Sequence, residues 1–273
     1  MSIEELIASG TAAEFAGGAV SRVGAERPLL MLNPHDAVRI EADTAEPVQL
    51  VMVHTKANES AVELLLSHGA QVSLTDIYLA EAFSAVEITQ SEGSRCSTVV
   101  MQLRSANTAY TISLPERRAE NELSAAFVAA GDEHCTLKLT TNHRAPQCTS
   151  RAMVKGVAAG RATGEFRGLV YVAPDAQQTD ARQQSRNIEI GGGHIITMPQ
   201  LLIYADDVRC SHGATVGQPD EEALFYMRQR GLSEADARRL QIEGFVNDIL
   251  NRCPIEQVRE AVAEEIAVKL EKL

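Results

Sequence analysis

The sequence predicts a mainly β domain followed by a small all-α segment, and three observations carry that prediction. Short stretches of alternating apolar and polar residues recur, as in Val48-Gln-Leu-Val-Met-Val-His54, Val72-Ser-Leu-Thr-Asp-Ile77 and Ser97-Thr-Val-Val-Met-Gln-Leu103. Such period-two alternation is what a strand with one buried face requires. Near Gly217 the pattern switches to apolar residues at steps of three and four, the spacing of amphipathic helices. Aromatic residues make up only 4% of the chain and tryptophan is absent. That leans the β region toward a β-helix, whose narrow core stacks small aliphatic side chains coil over coil. Alternation by itself leaves a sandwich, a barrel and a β-helix open.

In chain order, residues 3–9 read as a short helix, and Asn33-Pro34-His35-Asp36 reads as the turn into the first strand. Strands then follow at intervals of roughly 10 to 15 residues, separated by Asn, Gly, Asp, Glu and Pro. Thr108-Ala-Tyr-Thr-Ile-Ser-Leu114, Cys135-Thr-Leu-Lys-Leu-Thr140 and Gly168-Leu-Val-Tyr-Val172 continue the series. After Pro219, residues 220–230 begin acidic and end basic, as the helix dipole prefers, and Gly231 supplies a stop. Ser233 with Asp236 reads as the cap of a second helix carrying Ile242, Phe245, Val246 and Ile249 on one face. Pro254 restarts the chain, and Ile255, Val258, Val262, Ile266, Leu270 and Leu273 mark a third helix. The expected division is a lead-in with its short helix over 1–36, a β domain over 37–217 and a helical domain over 218–273.

The formal net charge is −12, which disfavours nucleic acid and anionic membranes as partners. The N-terminus is acidic where a secretion signal needs basic residues, and no apolar run of about 18 residues exists. A cytoplasmic protein is expected. The five cysteines, Cys96, Cys135, Cys148, Cys210 and Cys253, include no CxxC pair. They read as reduced and mostly buried thiols. No GxxxxGK[ST], GxSxG or HExxH motif occurs, and Gly191-Gly-Gly193 reads as a tight turn. The seven histidines are scattered, with no pair at metal-ligand spacing. Nothing generic points to an enzyme.

The informative stretches are Gln177-Gln-Thr-Asp-Ala-Arg-Gln-Gln-Ser-Arg-Asn187, Ala205-Asp-Asp-Val-Arg-Cys-Ser-His-Gly-Ala-Thr-Val-Gly217 and Asp220-Glu-Glu-Ala-Leu-Phe-Tyr-Met-Arg-Gln-Arg-Gly231. Together they resemble the C-terminal signature of the SufB/SufD family of the SUF iron–sulfur cluster assembly system. Within it the chain sides with the SufD type. SufB proteins tend to read Glu-His-Glu-Ala-Thr where this chain has Cys210-Ser-His-Gly-Ala-Thr215, and they carry a cysteine one strand earlier. No cysteine lies between residues 177 and 199 here. The chain also departs from the family in its short N-terminal region and in Leu202, where Glu is common.

The resemblance implies a right-handed parallel β-helix of stacked coils ending in a small all-α domain, and a non-enzymatic scaffold. Its implied partners are a SufB-type scaffold and a SufC-type ABC ATPase, with a homodimer when isolated. His212 matches the histidine implicated at the SufB-facing interface, and Cys210 lies two residues before it. Thiolate and imidazole are both good iron ligands, so the implied cargo is a transient iron or iron–sulfur cluster at that interface, with His212 as a metal ligand and no stably bound cofactor. Val208, Cys210 and His212 share one strand face, so Cys210 also reads as core. Asp206 and Asp207 read as turn residues. Leu224, Phe225, Tyr226 and Phe245 of the helical segment are the expected ATPase-docking residues. The competing reading from another class is a pectin-lyase-type, carbohydrate-active β-helix enzyme, which needs a groove of charged residues along one face. A self-associating SufB/SufD-like protein is the third.

Overall fold

The computed structural model describes residues 20–23, 28–44 and 46–271; the helix expected over 3–9 lies outside them. Two sheets run the length of the β region. One contains β1 (Val20–Val23), β3 (Asp36–Ala42), β5 (Asn58–Leu66), β7 (Ala82–Gln90), β9 (Ala106–Leu114), β11 (His134–His143), β13 (Thr163–Val172) and β15 (His194–Ile203), in that order. The other contains β2 (Leu29–Leu32), β4 (Pro47–His54), β6 (Gln71–Tyr78), β8 (Arg95–Gln102), β10 (Glu120–Gly131), β12 (Thr149–Gly160), β14 (Thr179–Ile190) and β16 (Val208–Gly217). Each strand pairs in parallel with the strand two places on, never with its sequence neighbour. Two strands therefore make one coil and the coils stack: a parallel β-helix. Early coils repeat every 24 residues, as in the Ser60 to Ser84 hydroxyl bond of 3.0 Å. Later coils lengthen to 29, the separation of Asp132 from Arg161. Strands β1 and β2 fall inside the segment expected as a lead-in. They are only four residues long, too short to display a period.

The interior is made of like-on-like columns. Val48, Val72 and Cys96 stack in register, as do Leu50, Leu74, Thr98 and Leu123. The lumen is filled to contact. A Cβ on Gly164 would lie 2.2 Å from Cε2 of Phe127, and one on Gly156 would lie 2.2 Å from its Cζ. Phe127 is 1% exposed, so its ring is held between two glycine backbones. Gly164→Ala should therefore cost about 1–3 kcal/mol by overpacking, read as a lowered thermal midpoint. An unchanged midpoint would mean the ring moves aside freely.

The strands of the two sheets are buried differently. β5, β7 and β9 alternate regularly between buried and exposed. In β4, β6, β8 and β10 the second half is buried on both faces. The cause is the C-terminal segment: α1 (Glu221–Gln229), α2 (Glu234–Leu250) and α3 (Glu256–Leu270). Ile242, Val246 and Ile249 of α2 and Val258, Val262 and Ile266 of α3 join one apolar cluster with Val51, Val53, Ile77, Val99, Met101, Val128 and Val157. The helices fold back along an outer face of the β-helix. Two buried lysines fasten them. Lys155 Nζ donates to the Phe245 carbonyl at 3.0 Å and pairs with Asp248 at 2.8 Å. Lys269 donates to the Leu103 carbonyl at 2.7 Å and pairs with Glu133. The cap signals act as the sequence indicates: Asp220 accepts from the amides of Glu222 and Ala223, and Ser233 accepts from that of Asp236.

Candidate functional site

The sequence blocks singled out above meet at one end of the β-helix. β14 and β16 are neighbours in one sheet, with Ala181 opposite Cys210 and Gln183 opposite His212 in register. β15 and β16 close their respective sheets, so each presents one unpaired edge. The corner before β16 is clamped by the motif residues themselves. The Gln178 amide donates to the Asp207 carbonyl at 2.6 Å, and the Asp207 amide donates to Gln177 Oε1 at 2.9 Å. Asp207 thus acts through its backbone in a turn, as its position in the sequence suggests.

Cys210 and His212 both continue the inward-facing column. On β14 that column is Ala181, Gln183, Ser185 and Asn187, all buried. No described strand stacks above β16, where Cys210 is half-buried and His212 exposed. His212 Nδ1 lies 2.9 Å from the Pro199 carbonyl. A carbonyl only accepts, so Nδ1 carries the proton and the lone pair of Nε2 is left for another partner. That is the arrangement by which a backbone acceptor orients a metal-binding imidazole. Burial pushes the Cys210 thiol upward, with the Asp180 charge adding to it against a backbone hydrogen bond from Ala181. Cys210 is therefore held as a thiol until something electropositive displaces its proton. The other cysteines are free and buried, and burial drives Cys96 and Cys135 up to about 12. Those are packing thiols.

Around this pair the end of the β-helix is apolar and exposed. Leu202, Ile203 and Tyr204 are 42%, 38% and 58% exposed, and Ile196, Met198 and Val216 are also at the surface. An unpaired apolar strand is an adhesive edge. Among the described residues no group of three or more His, Cys, Asp or Glu could hold a metal; Cys210 and His212 stand two residues apart on β16.

The four expected docking residues divide. Phe225 and Tyr226 on α1 are 63% and 57% exposed, whereas Leu224 is buried at 3%. Phe245 packs into the cluster beneath α2, with Lys155 Nζ 4.5 Å over its ring. An amphipathic helix has an inner face as well as an outer one, and Leu224 and Phe245 lie on the inner.

Sequence reasoning passed over Gln183. It is fully buried, and neither its amide nitrogen nor its oxygen has a hydrogen-bond partner among the described residues. Such an unmet buried group costs about 1–3 kcal/mol. The signal was available: Gln183, Ser185 and Asn187 are polar at inward positions where the coil before has Ala152, Val154 and Gly156.

Comparison with known proteins supplies the class. The family model described as SUF system FeS cluster assembly, SufBD core domain matches residues 25–245, so the chain belongs to the SufBD family. Within that family it is a homologue of the iron–sulfur cluster assembly protein SufD of Escherichia coli (strain K12), 36% identical over 140 residues, which are 51% of this chain and 33% of that protein. A SufBD family protein of Synechocystis is 38% identical over 145 residues, 51% of this chain and 31% of the relative. One from Mycobacterium leprae is 32% identical over 158 residues, covering 55% and 40% respectively. The chain thus spans between 31% and 40% of the length of these relatives. Among the described residues no helix is long and apolar enough to cross a membrane.

Proposed function

We propose that this chain is a non-enzymatic scaffold subunit that pairs, through its last coil, with a SufB-type β-helix and carries a SufC-type ABC ATPase on its helical segment. The observation that carries the reading is the position of Cys210 and His212. Both face inward on a coil with unpaired edges and an apolar rim, where a second β-helix would extend the sheets and cover them. Two donors do not complete the coordination of an iron ion, so the remaining ligands come from the partner chain or from sulfide. The cluster in this reading is cargo, assembled at the joint and passed on. In the absence of a SufB-type partner the same edges meet those of a second copy, giving a homodimer. The ATPase docks on the exposed face of α1, at Phe225 and Tyr226.

Co-expression of the tagged chain with a SufB-type scaffold and a SufC-type ATPase tests this directly. The wild type is expected to co-purify with both. Phe225→Ala combined with Tyr226→Ala should keep the SufB-type partner and the thermal midpoint, because both side chains are exposed, and lose the ATPase. Retention of the ATPase by the double variant would remove α1 from the docking surface. Failure of the wild type to retain either partner would reject the reading.

A further inference from the structure

The outer face of the last coils carries a charge opposite to that of the whole chain, whose net charge is −12. Strands β12, β14 and β16 lie side by side. Among their outward positions Asp180 is level with Arg209, Arg151 with Arg182, and Lys155 with Arg186. Lys155 is neutralised by Asp248 at 2.8 Å, which leaves the arginines of these rows facing the single carboxylate of Asp180. Arg151 and Arg182 both reach it, at 2.8 and 3.5 Å. Arg186 and Arg209 are exposed and form no ion pair among the described residues. The neighbouring acids register the surplus. Burial pushes Asp180 upward, yet the Arg151 hydrogen bond and the charges of Arg151, Arg182 and Arg209 carry it below its ordinary value. Asp248 is held low by the Lys155 hydrogen bond against its partial burial, with Lys155, Arg252 and Arg186 adding their charges.

On β16 the outward residues beyond Arg209 are small, and a Cβ on Gly213 would meet nothing within 4 Å. The ground over Gly213 is therefore open, with Arg209 at one end and Arg182 and Arg186 along one side. The backbone positions of Arg182 and Arg186 are about 13 Å apart along β14, and β16 lies about 5 Å across from it. That spread suits several carboxylates of an extended chain, repeating about every 7 Å at alternate residues, better than one phosphate. The field of so small a patch fades within a Debye length, about 8 Å at physiological salt. A membrane or a duplex would also bring its charge against the acidic remainder of the molecule, whereas a short acidic segment covers the patch alone.

We propose that this face docks an extended, acidic segment of a partner protein, its carboxylates on Arg182, Arg186 and Arg209 and its main chain over Gly213. The inference rests neither on iron at Cys210 and His212 nor on what covers the edge of β16, because these arginines point away from the lumen.

The test measures fluorescence anisotropy of a labelled peptide of alternating glutamate and serine, titrated with the full-length chain. The wild type should bind it, and more weakly as salt rises. Arg182→Gln, Arg186→Gln and Arg209→Gln should each weaken binding about twofold to fivefold, and the three together at least about tenfold, with the thermal midpoint nearly unchanged. If the triple variant does not fold, the single variants decide. Arg117→Gln, Arg118→Gln and Arg161→Gln together remove the same charge from exposed side chains elsewhere, and should leave the affinity within about twofold. An equal loss in that control would reduce the effect to net charge and overturn the proposal. So would wild-type affinity in the folded patch variants, or no peptide binding by the wild type. Tighter binding of a single-stranded oligonucleotide or of phosphatidylglycerol vesicles at the same salt would overturn it too, making the face a nucleic-acid or membrane surface.

Discussion

His212→Ala should leave the protein folded and stop cluster assembly. The histidine is exposed, on the last strand of its sheet, and among the described residues its side chain's one hydrogen bond is to the Pro199 carbonyl. A bond of that kind contributes about 0.5–1.5 kcal/mol net, and less when water replaces the lost donor. In a domain of this size about 1 kcal/mol moves the thermal midpoint by only some 2–4 °C. The functional loss should be far larger. In the proposed reading the imidazole Nε2 is one of two donors at the joint, and Cys210 alone is a half-buried thiol with its titration pushed upward. Growth of a strain dependent on this pathway should therefore fail with His212→Ala while the purified variant melts within a few degrees of the wild type. Full complementation would take His212 out of the mechanism. A collapsed midpoint would make it a structural residue.

Ending the chain at Gly217 should be far more damaging than the loss of a docking surface. The sequence marks off the helices after Gly217 as a domain over 218–273, and in the structure two of them share one apolar cluster with the strands. Val51, Val53, Ile77, Val99, Met101, Val128 and Val157 are covered by α2 and α3, and each such side chain contributes about 1.5–3 kcal/mol when fully buried. Uncovering several of them exceeds the net stability of an ordinary domain, about 5–15 kcal/mol. Lys155 would also lose the Phe245 carbonyl and Asp248, and the Leu103 carbonyl and Glu133 would lose Lys269. The truncated chain should be insoluble or bind a hydrophobic dye strongly, with no cooperative melt. A truncated protein that melts as the wild type does would show that the β-helix stands without its cover. The docking role is better tested by the exposed pair Phe225 and Tyr226.

Much of the architecture is legible because it is local. Alternation along β5, β7 and β9, the caps at Asp220 and Ser233, and the apolar stripe of α2 are each set by residues within one or two turns of one another, and each appears where the pattern puts it. The motif around Cys210 and His212 was equally legible as a string of residue types. What a string does not contain is which faces meet. The runs Val51-Met-Val53 and Val99-Val-Met101 look like ordinary strand interiors, yet they are buried on both sides because helices that begin at residue 221 return to lie over strands far earlier in the chain. The polar residues of β14 are visible in the string, but that Gln183 lies directly below His212 and over Gly168 of β13 is not. The local alternation of side chains is decided by the backbone geometry of the strand, and so the sequence by itself determined the elements and their inward faces. Coil length and the return path of the helices bring together residues far apart in the chain, and only the tertiary structure decided those contacts, because they depend on how every coil between them packs.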